Sequence, residues 1–383
     1  MDQRREFVRL AMCEGVNRRE LCRRFGVSPD IGYKWLRRAL AGDGALANRS
    51  RRPHRSPNHC DAAAEARVVG VRQAHPAWGA RKIAHCLKRE GMTPPARSTV
   101  HEILRRHGLV QPAAHGGQGP YQRFEKEAPN LLWQMDFKGE MPLSNASLCY
   151  PLTVIDDHSR YALCVGACAN QQTQTVQGQL TATFRRYGLP DAFFVDNGAP
   201  WGDASGAQWT RLAVWLLKLG VEVWHSRPYH PQSRGKNERF HRTLKAEVFQ
   251  MQRFDNLIEL QQAFDHWRAV YNLERPHEAL DLDVPANRYR PSSRAMPDRL
   301  PEVEYESTET VRSVSTTKAY VSFKGRSWKV PQAFCGERLA IRPLTSNGLF
   351  GIFFGSRQVA IIDLIGGKSV SDVPGQVSAM SPA

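Results

Sequence analysis

The order of strand-like and helix-like segments between residues 129 and 290 restricts the possible folds of this chain more than any other feature. Three strand-like segments come first, LLWQMDFKGE, YPLTVIDDH and RYALCVGACA. Helical and strand patterns then alternate, in TQTVQGQLTATFRRYG, DAFFVDNG, SGAQWTRLAVWLLKLG and VEVWHS, and further helical segments follow. This order predicts a mixed α/β domain in which helices pack on a central sheet.

Net charge separates the first third of the chain from the remainder. The 383 residues include 53 Lys and Arg and 37 Asp and Glu, which gives a net charge of +16. Residues 1–130 carry 25 Lys and Arg against 12 Asp and Glu, so +13 of the charge lies there. A concentration of this kind favours a phosphate-rich partner. An ordinary solvated basic surface is the alternative, but it would rarely be so localised.

Residues 1–45 contain a helix-turn-helix pattern. Helical stretches at 4–15 and 17–25 are followed by Gly26, and then by Ser28, which is suited to cap the helix SPDIGYKWLRRALAG. In a helix-turn-helix the second helix lies in the major groove. A basic three-helix bundle that binds something else is the alternative. The residues expected to face inward are Ile31, Trp35 and Leu36, and those left available to DNA are Asp30, Tyr33, Lys34 and Arg37.

A basic linker and a second helical module follow. Residues 46–60 are rich in Arg and broken by Pro, and Arg51 and Arg52 could follow a DNA backbone or enter a minor groove. Residues 61–112 show three helical segments, the third beginning near Ser98, which predicts a second helix-turn-helix domain. Arg97, Ser98 and Thr99 fall where such a helix meets bases or phosphates. Residues 113–128 form a further linker.

The C-terminal part changes to short strands. After the Pro-rich linker 291–303, residues 304–365 contain five short strand-like segments, which predict a small antiparallel β-barrel. We expect this barrel to be a separate module without a catalytic role, which either binds DNA or contacts another protomer; a purely structural appendage is the alternative. Residues 366–383 are small and polar and are predicted to be a disordered tail.

Cysteine spacing and hydropathy restrict the environment of the protein. The eight cysteines show no zinc-site spacing and are interpreted as reduced thiols. No apolar run approaches the roughly 18 residues that a membrane span requires. We therefore expect a soluble, cytoplasmic protein associated with the nucleoid.

Three carboxylates stand out in the central domain. Asp136 and Asp196 each end a strand-like segment, and side chains at adjacent strand ends can converge at one edge of a sheet. Glu238 lies on a helix predicted to start near Ser233. The helical period places Phe240, Leu244, Val248 and Met251 on the core face of this helix. It places Glu238, Arg242 and Lys245 together on another face.

This combination of charges suits chemistry at a phosphodiester. Basic side chains hold phosphate, and carboxylates hold divalent cations such as Mg²⁺ or Mn²⁺. Two such ions, roughly 4 Å apart, can activate the attacking oxygen and stabilise the leaving one. Three unrelated surface acids are the alternative, because sequence alone does not show convergence.

The chain resembles the bacterial insertion-sequence transposases of the DDE superfamily, which share the catalytic core of retroviral integrases. The resemblance is carried by WQMDFKG, IDDHSR, FFVDNG and YHPQSRGKNERFHRTLK, in the family's order across residues 129–290, with helix-turn-helix segments before them. It implies an RNase H-like fold for 129–290 and a metal triad of Asp136, Asp196 and Glu238. It also implies that Lys245 contacts the transposon end, and that Asp156 and Asp157 are turn residues and not ligands.

One departure from the family concerns spacing. Between Asp196 and Glu238 lie 41 residues, more than the roughly 35 common in the family, and the surplus fits the surface loop 200–209, because loops lengthen at small free-energy cost. The context GKNERFHRTLK nevertheless identifies Glu238.

The resemblance implies a DNA transposase that uses two Mg²⁺ or Mn²⁺ ions. It would bind the terminal inverted repeats of an insertion sequence, hydrolyse the phosphodiester at the element ends, and join the 3′-OH to target DNA. Bringing two ends together implies a homo-oligomer, at least a dimer. A catalytically silent DNA-binding regulator derived from a transposase is one alternative, and the intact triad argues against it. A plain RNase H-type nuclease is another, and it would not need two recognition modules.

Overall fold

The computed structural model describes residues 2–42, 46, 60–110, 125–202, 209–225 and 235–371. Residue contacts divide the chain into two compact units, Met1–Cys60 and Asp61–Ala383. Within the described residues, no helix combines the length and the apolar character needed to cross a membrane.

The first unit contains three helices, α1 (Asp2–Ala11), α2 (Arg18–Arg24) and α3 (Pro29–Leu40). Ser28 caps α3 as predicted, because its hydroxyl oxygen accepts a hydrogen bond from the backbone N–H of Ile31 at 3.4 Å. Asn17 caps α2 in the same way. Gly26 adopts a φ of +62°, which provides the turn between α2 and α3. The predicted helix-turn-helix is therefore present.

A glycine, and not Ile31, makes the closest contact between α3 and the other two helices. Ile31 is 44% exposed, so the prediction that it packs inward is wrong. A Cβ atom at Gly32 would lie 2.6 Å from Cys22 Sγ and 2.7 Å from Phe7 Cζ. This close approach orients α3 so that Ile31 lies beside the row of residues that face the core, and not within it. The residues of α3 that face the core are Gly32, Trp35, Leu36 and Ala39.

The second unit begins with α4 (Ala62–Ala74), α5 (Ala80–Arg89) and α6 (Arg97–Arg106). Val68, Ile83 and Leu87 are fully buried between these helices. Glu65 at the start of α4 binds Arg106 at the end of α6, which fixes the two helices against each other. The third helix starts at Arg97, one residue before its predicted start.

A central sheet with helices on both faces follows. In chain order its elements are β1 (Trp133–Phe137), β2 (Met141–Pro142), β3 (Leu148–Asp156), β4 (Ala162–Cys168), α7 (Thr173–Tyr187), β5 (Ala192–Val195), α8 (Arg211–Lys218), β6 (Glu222–His225), α9 (Gly235–Leu244), a π-helical turn (Lys245–Phe249), α10 (Leu257–Leu273) and α11 (Pro285–Arg288). The main strands lie in the order β4–β3–β1–β5–β6, and β2 pairs with the start of β3. β1 is antiparallel to β3 and parallel to β5, which is parallel to β6.

Two hydrophobic clusters attach the helices to this sheet. On one face, α7 and α8 pack against side chains of β1, β3 and β5 such as Trp133 and Phe193. On the other, α9 and α10 pack against β3 and β4 through Phe240 and Phe264. The predicted mixed α/β domain is therefore confirmed, with its sheet buried between two helical layers.

The C-terminal strands do not form a closed barrel. They are β7 (Thr310–Ser313), β8 (Tyr320–Phe323), β9 (Arg326–Lys329), β10 (Arg338–Pro343), β11 (Leu349–Phe354), β12 (Arg357–Asp363) and β13 (Lys368–Ser371). Five of them form one sheet in the order β13–β12–β11–β10–β7, and β8 pairs with β9 alone. Between β9 and β13, the Lys329 carbonyl accepts a hydrogen bond from the Ser369 side chain. A closed barrel would instead require a ladder of backbone hydrogen bonds between neighbouring strands. β13 also lies within the predicted disordered tail, so that prediction is wrong for residues 368–371.

The C-terminal sheets pack on α8 of the central domain. Trp209 and Val214 belong to the hydrophobic cluster that these sheets enclose, and the Trp209 ring lies 5.3 Å from that of Phe334. Lys218 at the end of α8 forms an ion pair of 2.7 Å with Glu337. The C-terminal sheets and α8 therefore share side chains in one hydrophobic cluster.

Replacing Gly32 with alanine is expected to destabilise the first unit by about 1–3 kcal/mol, because the added Cβ overlaps two packed side chains. Gly70 in α4 is the matched control, since the nearest atom to a Cβ there is Arg67 Nη1 at 4.0 Å; its replacement should stabilise α4 by about 0.5–1 kcal/mol. Hydrogen–deuterium exchange of the full-length variants measures both effects. Unchanged protection of α1–α3 in Gly32→Ala would contradict the close packing.

Candidate active site

The pairing of β1 with β5 brings Asp136 level with Asp196. Trp133 is paired with Phe193 and Gln134 with Phe194. Continued along the two parallel strands, this register places Asp136 beside Asp196, the residue that follows the last one of β5. Neighbouring strands lie about 4.8 Å apart. The two carboxylates predicted to converge therefore start from adjacent positions at one edge of the sheet.

Strand alternation places both aspartates on the same face. Side chains along a strand point alternately to the two sides of the sheet. The residues of β1 and β5 that pack beneath α7 and α8 are Trp133, Met135, Phe193 and Val195. Asp136 and Asp196 occupy the next positions and so belong to the opposite face, where α9 contacts β1. Both aspartates are half-buried.

Glu238 lies in the first turn of α9, away from the core. Its side chain is exposed, as are those of Arg242 and Lys245, whereas Phe240, Leu244 and Val248 are buried. Met251 is 49% exposed, so its predicted place on the buried stripe is wrong. The π-helical turn after Leu244 changes the periodicity, and Met251 no longer falls in line with the stripe.

A buried ion pair anchors the start of α9. Lys236 Nζ lies 2.5 Å from the carboxylate of Asp157, which is fully buried and also accepts from Gln134 Nε2 at 2.7 Å. Burial lowers the pKa of Lys236 to about 8, although the negative charge of Asp157 acts to raise it. The sequence indicated no role for Lys236. Its position two residues before Glu238 shows that this bond holds the turn that carries Glu238.

The adjacent acids at the end of β3 are occupied by structural hydrogen bonds. Asp156 accepts from the backbone N–H and the hydroxyl of Ser159, at 2.7 and 2.6 Å, and from the backbone N–H of Asn130 at 2.8 Å. Asp157 is held by Lys236 and Gln134. Both acids are fully buried; Asp156 is the last residue of β3 and Asp157 the first of the turn that follows.

A second link ties α9 to β1 through β3. Thr153 is the β3 residue paired with Asp136, and its hydroxyl donates to the Asp136 carbonyl at 3.0 Å. The same oxygen lies 2.8 Å from His241 Nε2. Burial, with a smaller contribution from Lys138, lowers the pKa of His241 to about 4, so the imidazole is neutral at pH 7. Sequence patterns did not indicate this link, because its partners are far apart in the chain.

Positive charge collects beside the same strand end. Lys138 lies two residues after Asp136 and is half-buried. Burial and the nearby charge of Lys245 lower the pKa of Lys138, and its ammonium group lies 5.6 Å from the centre of the Phe249 ring. Two neighbouring lysines repel each other, and an anionic group between them would relieve that repulsion.

The donor chemistry of the site fits a hard divalent cation. Carboxylate oxygens are the ligands that Mg²⁺ and Mn²⁺ prefer, and Asp136 and Asp196 present two such groups side by side. Within the described ranges, no group of three or more His, Cys, Asp or Glu side chains is placed to hold a metal ion. Glu238 follows closely after residues 226–234, which are outside those ranges, and its side chain stays on the exposed face of α9.

The predicted DNA-contacting residues occupy exposed helix surfaces where they are described. Tyr33, Lys34 and Arg37 are exposed on α3. Arg97 and Ser98 are exposed and Thr99 is half-buried in the first turn of α6. Arg51 and Arg52 lie outside the described residues.

Models of known protein families match most parts of the chain. Two models, both described as "Integrase core domain", match residues 126–231 and 219–285. The model of the "IS481 family transposase, C-terminal domain" matches residues 309–369. A "Helix-turn-helix domain" model matches residues 3–54, and a "Homeodomain-like domain" model matches residues 31–104.

Proteins of bacterial insertion elements are similar over much of the chain. An uncharacterized 31.7 kDa protein of insertion element IS407 from Burkholderia multivorans is 26% identical over 60% of this chain and 82% of its own length. A 39.2 kDa protein of IS476 from Xanthomonas euvesicatoria is 26% identical over 60% of this chain and 65% of its own length. A chain of the simian T-cell lymphotropic virus intasome is 16% identical, covering 76% of this chain and 97% of that one, with a TM-score of 0.37.

A buried histidine lies beneath α9. His277 donates through Nε2 to the Tyr271 carbonyl at 3.3 Å, and its ring packs edge-on against that of Tyr271. Burial, assisted by the charge of Arg275, lowers the pKa of His277 to about 3. The Tyr271 ring in turn contacts Phe240 of α9 at 5.0 Å. The packing that supports α9 therefore includes an imidazole that must stay neutral.

The free energy of unfolding is expected to fall by about 2 kcal/mol between pH 6.5 and pH 5 because of His277, since the unfolded imidazole takes up a proton that the folded one does not. The loss continues until the pH reaches the folded pKa of about 3. His277→Gln retains an N–H for the Tyr271 carbonyl and does not titrate, so its pH dependence should be flatter by that amount. His101→Gln, at an exposed position on α6, is the control. Urea titrations at both pH values make the comparison; equal slopes for His277→Gln and wild type would contradict it.

Proposed function

We propose that this chain acts as a DNA transposase, because it belongs to the insertion-sequence transposases of the DDE superfamily. It would bind the terminal inverted repeats of an insertion sequence, hydrolyse the phosphodiester at each end, and join the 3′-OH to target DNA. The shared register and shared face of Asp136 and Asp196, beside the helix that carries Glu238, support this most strongly. Unrelated surface acids would have no reason to share both.

We assign both reactions to one set of side chains. Asp136, Asp196 and Glu238 would hold two Mg²⁺ or Mn²⁺ ions. Such ions, when bound, activate an attacking oxygen and stabilise charge on a leaving oxygen. Arg242 and Lys245 share the exposed face of α9 with Glu238 and would hold DNA phosphates beside the carboxylates. In-line displacement by water or by a 3′-OH needs no covalent protein–DNA intermediate.

We assign recognition of the element ends to the residues before 113. The domains 1–45 and 61–112 would each place a helix in the major groove, with α3 in the first and α6 in the second. The linker 46–60 would follow the phosphate backbone through Arg51 and Arg52. Because two ends must be held together, the active form would be a homo-oligomer of at least two copies.

Asp136→Asn, Asp196→Asn and Glu238→Gln are each expected to reduce cleavage of a labelled element end by at least about a hundredfold, because a lost metal ligand removes several kcal/mol of transition-state stabilisation. Binding to the uncut end should stay unchanged. Asp265→Asn, at an exposed position on α10, is the control and should cut normally.

The outcome also separates the two candidate functions. Normal cutting by one triad variant would remove that residue from the site. A wild-type protein that binds ends with the expected specificity but does not cut them in Mg²⁺ or Mn²⁺ would instead be the DNA-binding regulator.

Arg37→Ala is expected to reduce the preference for the element end over scrambled DNA by about 1–3 kcal/mol, because a base contact is lost. Arg51→Ala should weaken binding to both duplexes equally and reduce the salt dependence, since a phosphate contact is lost. Arg19→Ala, exposed on α2, is the matched control. Salt titrations with both duplexes measure these effects. A preference that survived in Arg37→Ala and Arg97→Ala would place recognition elsewhere.

A further inference from the structure

We propose that His241 and Thr153 act as a positioning pair that holds Asp136 against the helix carrying Glu238, and that this pair sets the affinity of the carboxylates for their divalent cation. The inference rests on the function proposed above. It concerns two residues that would touch neither DNA nor metal and that act through Asp136.

The hydrogen-bond geometry determines the direction of each bond. A threonine hydroxyl has one hydrogen, and the Thr153 hydroxyl donates it to the Asp136 carbonyl at 3.0 Å. His241 Nε2, at 2.8 Å from the same oxygen, must then be a donor. The neutral imidazole therefore carries its hydrogen on Nε2. The series runs in one direction, from His241 to Thr153 to Asp136.

The pair connects the helix that carries Glu238 with the backbone of Asp136. His241 follows Glu238 by three residues on α9, so the two side chains are neighbours on the helix surface. Thr153 is the cross-strand partner of Asp136. Two hydrogen bonds thus connect α9, which carries Glu238, to the backbone of Asp136 in β1. The Lys236–Asp157 ion pair holds the start of α9 to the end of β3 and does not reach Asp136.

Burial makes these bonds resistant to replacement by water. Thr153 is fully buried and lies between Leu152 and Val154, which are also fully buried. A buried hydroxyl without a partner is unfavourable, so both bonds are expected to persist. Groups that orient metal-binding side chains typically change metal affinity about 10–100-fold when they are removed. A purely structural pair would change stability alone.

Two matched substitutions at each position separate the roles. Glutamine can place its amide N–H where His241 has Nε2, whereas asparagine places it near the position of Nδ1. Serine keeps the hydroxyl of Thr153, whereas valine keeps the shape and removes the hydroxyl. The informative comparisons are therefore His241→Asn against His241→Gln and Thr153→Val against Thr153→Ser.

Binding of Mn²⁺ to the full-length protein, followed by electron paramagnetic resonance, is the first measurement. We expect His241→Asn and Thr153→Val to bind Mn²⁺ about tenfold more weakly than wild type, and His241→Gln and Thr153→Ser to remain within about threefold. The Mg²⁺ concentration for half-maximal end cleavage should shift by the same factors, with end binding unchanged. The double variant Thr153→Val/His241→Asn should bind Mn²⁺ no more weakly than the single variant with the lower affinity. The two bonds act in series, so breaking either one already removes the effect of both.

Wild-type Mn²⁺ affinity in a folded Thr153→Val protein would overturn the positioning role. If His241→Asn does not fold, the measurement on Thr153→Val alone decides the question. Equal losses in His241→Asn and His241→Gln, beside a normal Thr153→Val, would also overturn it. In either case, continued cutting by the wild type would leave the proposed transposase function intact. A wild-type protein that bound no Mn²⁺ and cut no ends would overturn both.

Discussion

The parallel pairing of β1 with β5 is the interaction on which the central domain depends. It joins the antiparallel strands β4, β3 and β1 to the parallel strands β5 and β6. Its register is held by the buried contact of Trp133 with Phe193, whose rings lie 5.8 Å apart beneath α7. A slip of one residue would turn one aspartate to the opposite face, where α7 and α8 cover the sheet. The same packing that stabilises the sheet therefore decides whether the two carboxylates meet.

Four aspartates at strand ends show how surroundings decide the use of a side chain. Asp156 and Asp157 are fully buried, and their carboxylate oxygens accept hydrogen bonds from Ser159 and Asn130 and from Gln134 and Lys236, respectively. Asp136 and Asp196 are half-buried at the ends of neighbouring strands. The first two hold the turn after β3 and the start of α9, whereas the second two are the aspartates that we propose to hold the cation. Nothing in the residue type distinguishes these pairs.

Local sequence features predicted what depends on local interactions. The Ser28 cap, the turn at Gly26, the order of strands and helices in the central domain and the apolar stripe through Phe240 and Leu244 all follow from neighbours in the chain. The failures have non-local causes. Ile31 is displaced because a glycine approaches α1 and α2, and Met251 because a π-helical turn interrupts the period. The Lys236–Asp157 and His241–Thr153 bonds join residues 79 and 88 positions apart, and no short pattern predicts such partners.

The sharing of α8 between two hydrophobic cores has a consequence for how such a chain can change over time. Leu212 and Leu216 pack under the central sheet, while Val214 and Leu217 pack under the C-terminal strands. The helix has apolar side chains on both sides, so removing the C-terminal strands would expose an apolar surface beside the central domain. The C-terminal sheets thus share one helix with the central domain. Losing these strands without exposing apolar surface would require polar substitutions on that side of α8, at positions such as Val214 and Leu217.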